Sequence, residues 1–78
     1  MLPEQCRAAR AWLNWTQRLL AAKAGVSAST IRNFEAGNNI PHPNNLAAIR
    51  RALEEGGMQI ADDGSTVGKK KGRSWDRP

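Results

Sequence analysis

The sequence predicts a small, mainly α-helical domain of four to five helices that closes on a short C-terminal β-strand or hairpin. Three observations lead there. Apolar residues recur at helical spacing in four stretches between Pro3 and Leu53. Each stretch has a recognisable start (Pro3, Thr16, Ser27, Pro43) and stop (Asn14, Gly25, Gly37, Gly56-Gly57). Beyond residue 57 the period shortens to two.

Helix 1 is predicted from about Pro3, whose missing N–H costs nothing in a first turn, to Leu13, with Cys6, Ala9, Arg10 and Leu13 as its stripe and Asn14 closing it. Thr16 is a good N-cap for helix 2, about 17–24, and Trp15 and Leu20 stand at hydrophobic-staple spacing. Leu20, Ala21 and Ala24 face inward, and Gly25 stops the helix. Only Gly25 and Val26 precede the next cap, Ser27, so helix 3, about 28–36, follows as in a helix-turn-helix. Gly37 ends it with a left-handed residue. With Pro43 in the first turn, His42 is a mediocre N-cap for helix 4, which buries Leu46, Ile49 and Leu53. Residues 1–57 thus form the helical domain. Alternation of Met58 and Ile60 with polar neighbours, then the turn-like DDGS, predicts a strand or hairpin over 58–67. Residues 68–78 read as a basic flexible tail.

Seventy-eight residues make one domain with a thin core, for which a second subunit would help. No apolar run approaches the roughly 20 residues that span a bilayer, and the start lacks a signal-peptide core. One cysteine excludes an intrachain disulfide. The expectation is a cytoplasmic protein with no membrane partner. A net charge of +5 favours a polyanion such as nucleic acid, and it is unevenly spread. Residues 1–53 carry +5, residues 54–65 carry −4 and residues 66–78 carry +4.

Helix 3 carries the functional signal. Advancing about 100° per residue puts Ala28, Ser29, Arg32, Asn33 and Ala36 on one side and Thr30, Ile31, Phe34 and Glu35 on the other. The first side is slim, polar and free of carboxylates. Such a face fits a DNA major groove, about 12 Å wide, where Arg32 can pair with guanine and Asn33 with adenine, both bidentate. Ser29 can donate or accept, and the Ala28 methyl can meet a thymine methyl.

The stretch TQRLLAAKAGVSASTIRNFEAGNNIP resembles the helix-turn-helix of the Cro/C1-type (XRE) transcriptional regulators, a family that includes phage repressors. The matching residues are Thr16-Gln17, Ala21, Gly25-Val26-Ser27, Ser29-Thr30-Ile31, Phe34-Glu35 and Gly37. The resemblance covers about residues 4–60 and implies a lambda-repressor-like domain from a prokaryote or phage, in a compact branch where a short strand replaces a fifth helix. It implies base reading by Ala28, Ser29, Arg32 and Asn33. It implies phosphate contacts from Thr16, Gln17, Ser27, Asn38, Asn39 and, more weakly, Asn44, and an ion pair between Arg10 and Glu35. It also implies a homodimer on a palindromic operator in double-stranded DNA, with repression, including of its own promoter, as the expected output and activation at a second site left open. Arg18 and Leu19 depart from the acids that relatives often carry in helix 2, and Ala28 is small where relatives often place a long reader.

Cys6 reads as a small core residue, His42 as a loop cap, and Trp12 and Trp15 as packing residues, Trp12 lying off the main stripe. They define no nucleophile pair and no metal ligand set, so neither an enzyme nor a cofactor is expected. Dimerisation is expected through helix 4 and 58–67. RNA polymerase or an antagonist protein is left open as a further partner. So are two other readings, an antitoxin or interaction adaptor and an architectural or excision-directing DNA protein.

Overall fold

A computed structural model describes residues 1–62 and 67–69. Four helices run in order, α1 (Pro3–Leu13), α2 (Gln17–Ala24), α3 (Ala28–Glu35) and α4 (Pro43–Glu55), followed by strands β1 (Met58–Ile60) and β2 (Val67–Lys69). The architecture is the small helical domain closed by a short hairpin that the sequence predicts.

Local chemistry sets the helix ends. Leu2 has no side chain able to cap α1, but Gln5 Oε1 accepts the Leu2 N–H at 2.8 Å, and Asn14 closes the helix in the left-handed region at φ 59°. Thr16 Oγ1 accepts from Leu19 N at 3.0 Å and Ser27 Oγ from Thr30 N at 3.1 Å, contacts worth about 1 kcal/mol each. His42 caps α4 through Nδ1, which accepts from Asn44 N at 3.2 Å. Gly25, at φ 73°, reverses the chain between α2 and α3, and Val26 N closes that turn on Ala21 O. At the other end of α3 the helix stops at Glu35, one residue before the expected Ala36, which instead caps it.

The core gathers Cys6 and Ala9 from α1, Leu20 and Ala21 from α2, Ile31 and Phe34 from α3, Ile49, Ala52 and Leu53 from α4, and Met58 and Ile60 from β1. Leu13, Trp15, Ala24 and Leu46 are half-buried against it. Trp12, by contrast, is 57% exposed and does not serve as a core residue of the single chain. The Trp15 ring lies so close to Gly56 that a Cβ there would stand 2.6 Å from Cη2. Lys23 Nζ sits 5.0 Å from the centre of the same ring.

The two strands pair antiparallel with Met58 opposite Lys69, Gln59 opposite Gly68 and Ile60 opposite Val67. Gly68 and Lys69, expected in the tail, thus belong to β2. The reason is that β1 offers them a ladder of backbone partners, which residue type does not announce. Residues 63–65 of the expected turn and 70–78 of the expected tail lie outside the described residues. Arg50 joins α4 to the end of β1, bonding to Glu54 Oε2 at 3.0 Å, Asp62 Oδ1 at 2.6 Å and the Ile60 carbonyl. Among the described residues no helix is long and apolar enough to cross a membrane.

Candidate nucleic-acid interface

Burial divides α3 by side. Ile31, Phe34 and Glu35 are buried, whereas Ser29, Arg32 and Ala36 are exposed. Arg32 Nη2 donates to Ser29 Oγ at 3.3 Å, so the two polar side chains stand together on the outer face. The helix's one carboxylate is turned away from them. Asn33 is half-buried and lines a cleft of about 230 Å³ between α3 and the start of α4, which it shares with Ser29, Thr30, Asn39, His42 and Asn45. Ala28, expected among the base readers, is half-buried and packs against the core. On the wheel it lies beside Glu35, at the rim rather than the centre of the outer face. A one-carbon side chain there has little reach.

The first turns of α2 and α3 flank this face. Thr16 and Ser27 spend their oxygens on capping, and Ser27 Oγ also shares a 2.9 Å hydrogen bond with Thr30 Oγ1. Helix geometry leaves the N–H groups of Gln17 and Arg18, and of Ala28 and Ser29, without intrahelical acceptors, and such ends favour anions. Arg18 is exposed in that first turn. Asn38 and Asn39 are exposed, but their backbone N–H groups both point back to Asn33 O, at 2.9 and 3.4 Å, leaving the side-chain amides for an outside partner. Asn44 is exposed, with its N–H held by His42.

Gln17, expected among the phosphate contacts, has a side-chain partner inside the fold. It is half-buried, and Nε2 donates to Glu35 Oε1 at 3.1 Å. Glu35, only 3% exposed, also receives Arg10 Nη2 on Oε1 and Arg10 Nε on Oε2, both at 2.8 Å, and Cys6 Sγ on Oε2 at 3.2 Å. An unpaired buried carboxylate would be costly, so it draws in every donor within reach, Gln17 included. Burial alone would push the Glu35 carboxyl up, but the hydrogen bonds from Arg10, Gln17 and Cys6 outweigh it and hold the group below its ordinary range. Burial first, then the bond to Glu35, pushes the Cys6 thiol up, so it remains a protonated donor.

Sequence reasoning missed four residues near this surface. Arg18 reads from the sequence as a missing acid rather than as a cation at a helix start. Asn45 and His42 enter the cleft because α4 begins against α3, a long-range fact. Ile40 is 85% exposed in the loop beside them. An isoleucine in solvent would be legible only once the loop was known to leave the core.

Comparison with known proteins agrees with this geometry. A helix-turn-helix family model matches residues 7–60. Among solved structures, the solution NMR structure of the DNA-binding domain of the P22 C2 repressor is similar at a TM-score of 0.63 and 34% identity, covering 69% of this chain and 72% of that one. No curated protein matches the chain.

Proposed function

Because the chain belongs to the Cro/C1-type helix-turn-helix family, we propose that it is a sequence-specific DNA-binding transcriptional regulator. One observation carries the reading: Ser29 and Arg32 stand exposed together on the carboxylate-free side of α3, between helix starts whose N–H groups suit phosphates. Arg32 reads a guanine, with Ser29 steadying its guanidinium. Asn33 works from the cleft wall, where its amide meets either a base edge or the backbone of one strand. Thr16, Gln17, Arg18, Ser27, Asn38, Asn39 and Asn44 supply phosphate contacts, and Ala28 contributes at most a methyl.

The regulator acts as a homodimer on an approximately palindromic operator with half-sites about 34 Å apart, and represses by competing with polymerase. An apolar cleft along α4, formed by Met1, Pro43, Leu46 and Ala47 with Arg50 at its edge, supports α4 as part of the subunit contact. Footprinting on the DNA flanking the gene tests the whole reading. It is expected to protect two half-sites related by a dyad, and Arg32→Ala is expected to abolish protection at the same concentration. Uniform, sequence-independent protection with strong bending would instead favour an architectural protein.

A further inference from the structure

We infer that Glu35 is a positioning residue for DNA binding, setting where the first turn of α2 stands relative to the reading face of α3. The inference rests on the proposed DNA-binding function. A carboxylate has about four lone-pair sites. Arg10 Nε, Arg10 Nη2, Cys6 Sγ and Gln17 Nε2 supply a donor for each. Arg10 then uses Nη1 on the Trp15 carbonyl at 2.9 Å. The pair therefore grips the chain on both sides of Thr16, the residue that caps α2. Arg7 Nη1 holds the Glu35 carbonyl as well, fixing the last residue of α3 to α1.

The placement of these contacts gives them their effect. The turn at Gly25 joins the end of α2 to the start of α3. The Glu35 cluster joins the start of α2 to the end of α3. Two eight-residue helices, each about 12 Å long, are thus tied at both ends. The angle between the outward N–H groups of Gln17 and Arg18 and the Ser29–Arg32 face is fixed by the second tie. Gln17, with one amide hydrogen on Glu35, is held with its other hydrogen available to a phosphate. Breaking this tie loosens phosphate contacts, which carry no sequence information, and leaves base contacts in place.

Glu35→Asp keeps the charge but draws the carboxylate back by one methylene, and binding is measured for wild type, E35D, Q17A and the double variant on operator and on unrelated duplex. E35D is expected to weaken both duplexes by the same factor, about tenfold. In the Q17A background it is expected to add less than about twofold, since coupled residues are not additive. An E35D effect of full size in the Q17A background, or one confined to the operator, overturns the inference. Should E35D fail to fold, NMR of the free wild-type protein answers instead: one Gln17 side-chain amide proton is expected to be shifted and slow to exchange. A Gln17 amide behaving as a solvent-exposed one overturns the inference. A wild-type chain that binds neither duplex overturns the DNA reading, and this inference with it.

Discussion

Arg32 and Glu35 stand three residues apart on α3, one exposed and the other buried, and the proposed function turns on that division. Arg32 is exposed beside Ser29, so Arg32→Ala is expected to cost about 1–3 kcal/mol of discrimination at one base pair, while leaving stability unchanged. Fluorescence anisotropy against operator and a point-substituted operator measures it, and equal weakening on both would assign Arg32 to the backbone. Glu35→Ala strands Arg10 and is expected to destabilise the fold by about 3 kcal/mol or more in urea titration. The pH dependence has a definite sign. The Glu35 carboxyl is held below its ordinary value of 4.5, so the folded state gains from its ionisation above that pH. That gain drains away as pH falls through the depressed folded value, and Glu35→Gln is expected to remove this acid-side decline. At this scale the wheel separated the faces well, because burial on a short helix follows angle. The bond from Gln17 on α2 to Glu35 lay outside the wheel's reach. Gln17's direction is decided by a carboxylate eighteen residues away in sequence, and Ala28's by its position on the rim.

Helix boundaries were legible because caps are local. Thr16, Ser27 and His42 each bond to an N–H two or three residues on, an interaction that sequence spacing foretells. Thr16→Ala is expected to cost about 1 kcal/mol, read as a lower urea midpoint. What spacing could not foretell is how elements meet. Gly56 has an ordinary backbone, φ −75°, where alanine would usually be neutral or helpful. Yet the Trp15 ring, carried in from the loop before α2, already occupies the space of its Cβ. Gly56→Ala is therefore expected to destabilise by about 1–3 kcal/mol, with a shift in tryptophan fluorescence. An unchanged urea midpoint would mean that Trp15 moves aside freely. The hairpin was anticipated from its turn, but the extent of its second strand was hidden for a related reason. Three residues carry too little pattern to declare themselves, and Val67–Lys69 is a strand only because β1 pairs with it.

Across the whole molecule, charge is divided between partners inside and outside. Arg10 and Arg50 are spent on Glu35, Glu54 and Asp62, so they hold the fold rather than a polyanion. Arg18 and Arg32 stand exposed beside the reading face, with Lys23 exposed at the far end of α2 against Trp15, a modest number of cations for a DNA-binding surface. Lys70, Lys71 and Arg73 would then contribute a large share of the salt dependence. Removing residues 70–78 is expected to make the slope of log K against log salt shallower by about one unit for each phosphate no longer neutralised. An unchanged slope would exclude that segment from the complex. Sedimentation at micromolar concentration on operator DNA is expected to give the duplex mass plus twice the 8.5 kDa chain mass, and the duplex plus a single chain would exclude the dimer. The most direct test of the central claim is amide chemical-shift mapping of the chain titrated with operator duplex. The largest changes are expected along Ser29–Asn33 and in the first turn of α2, with α1's outer face silent. Changes confined to α4 and the β1–β2 hairpin, with Ser29 and Arg32 unmoved, would contradict it.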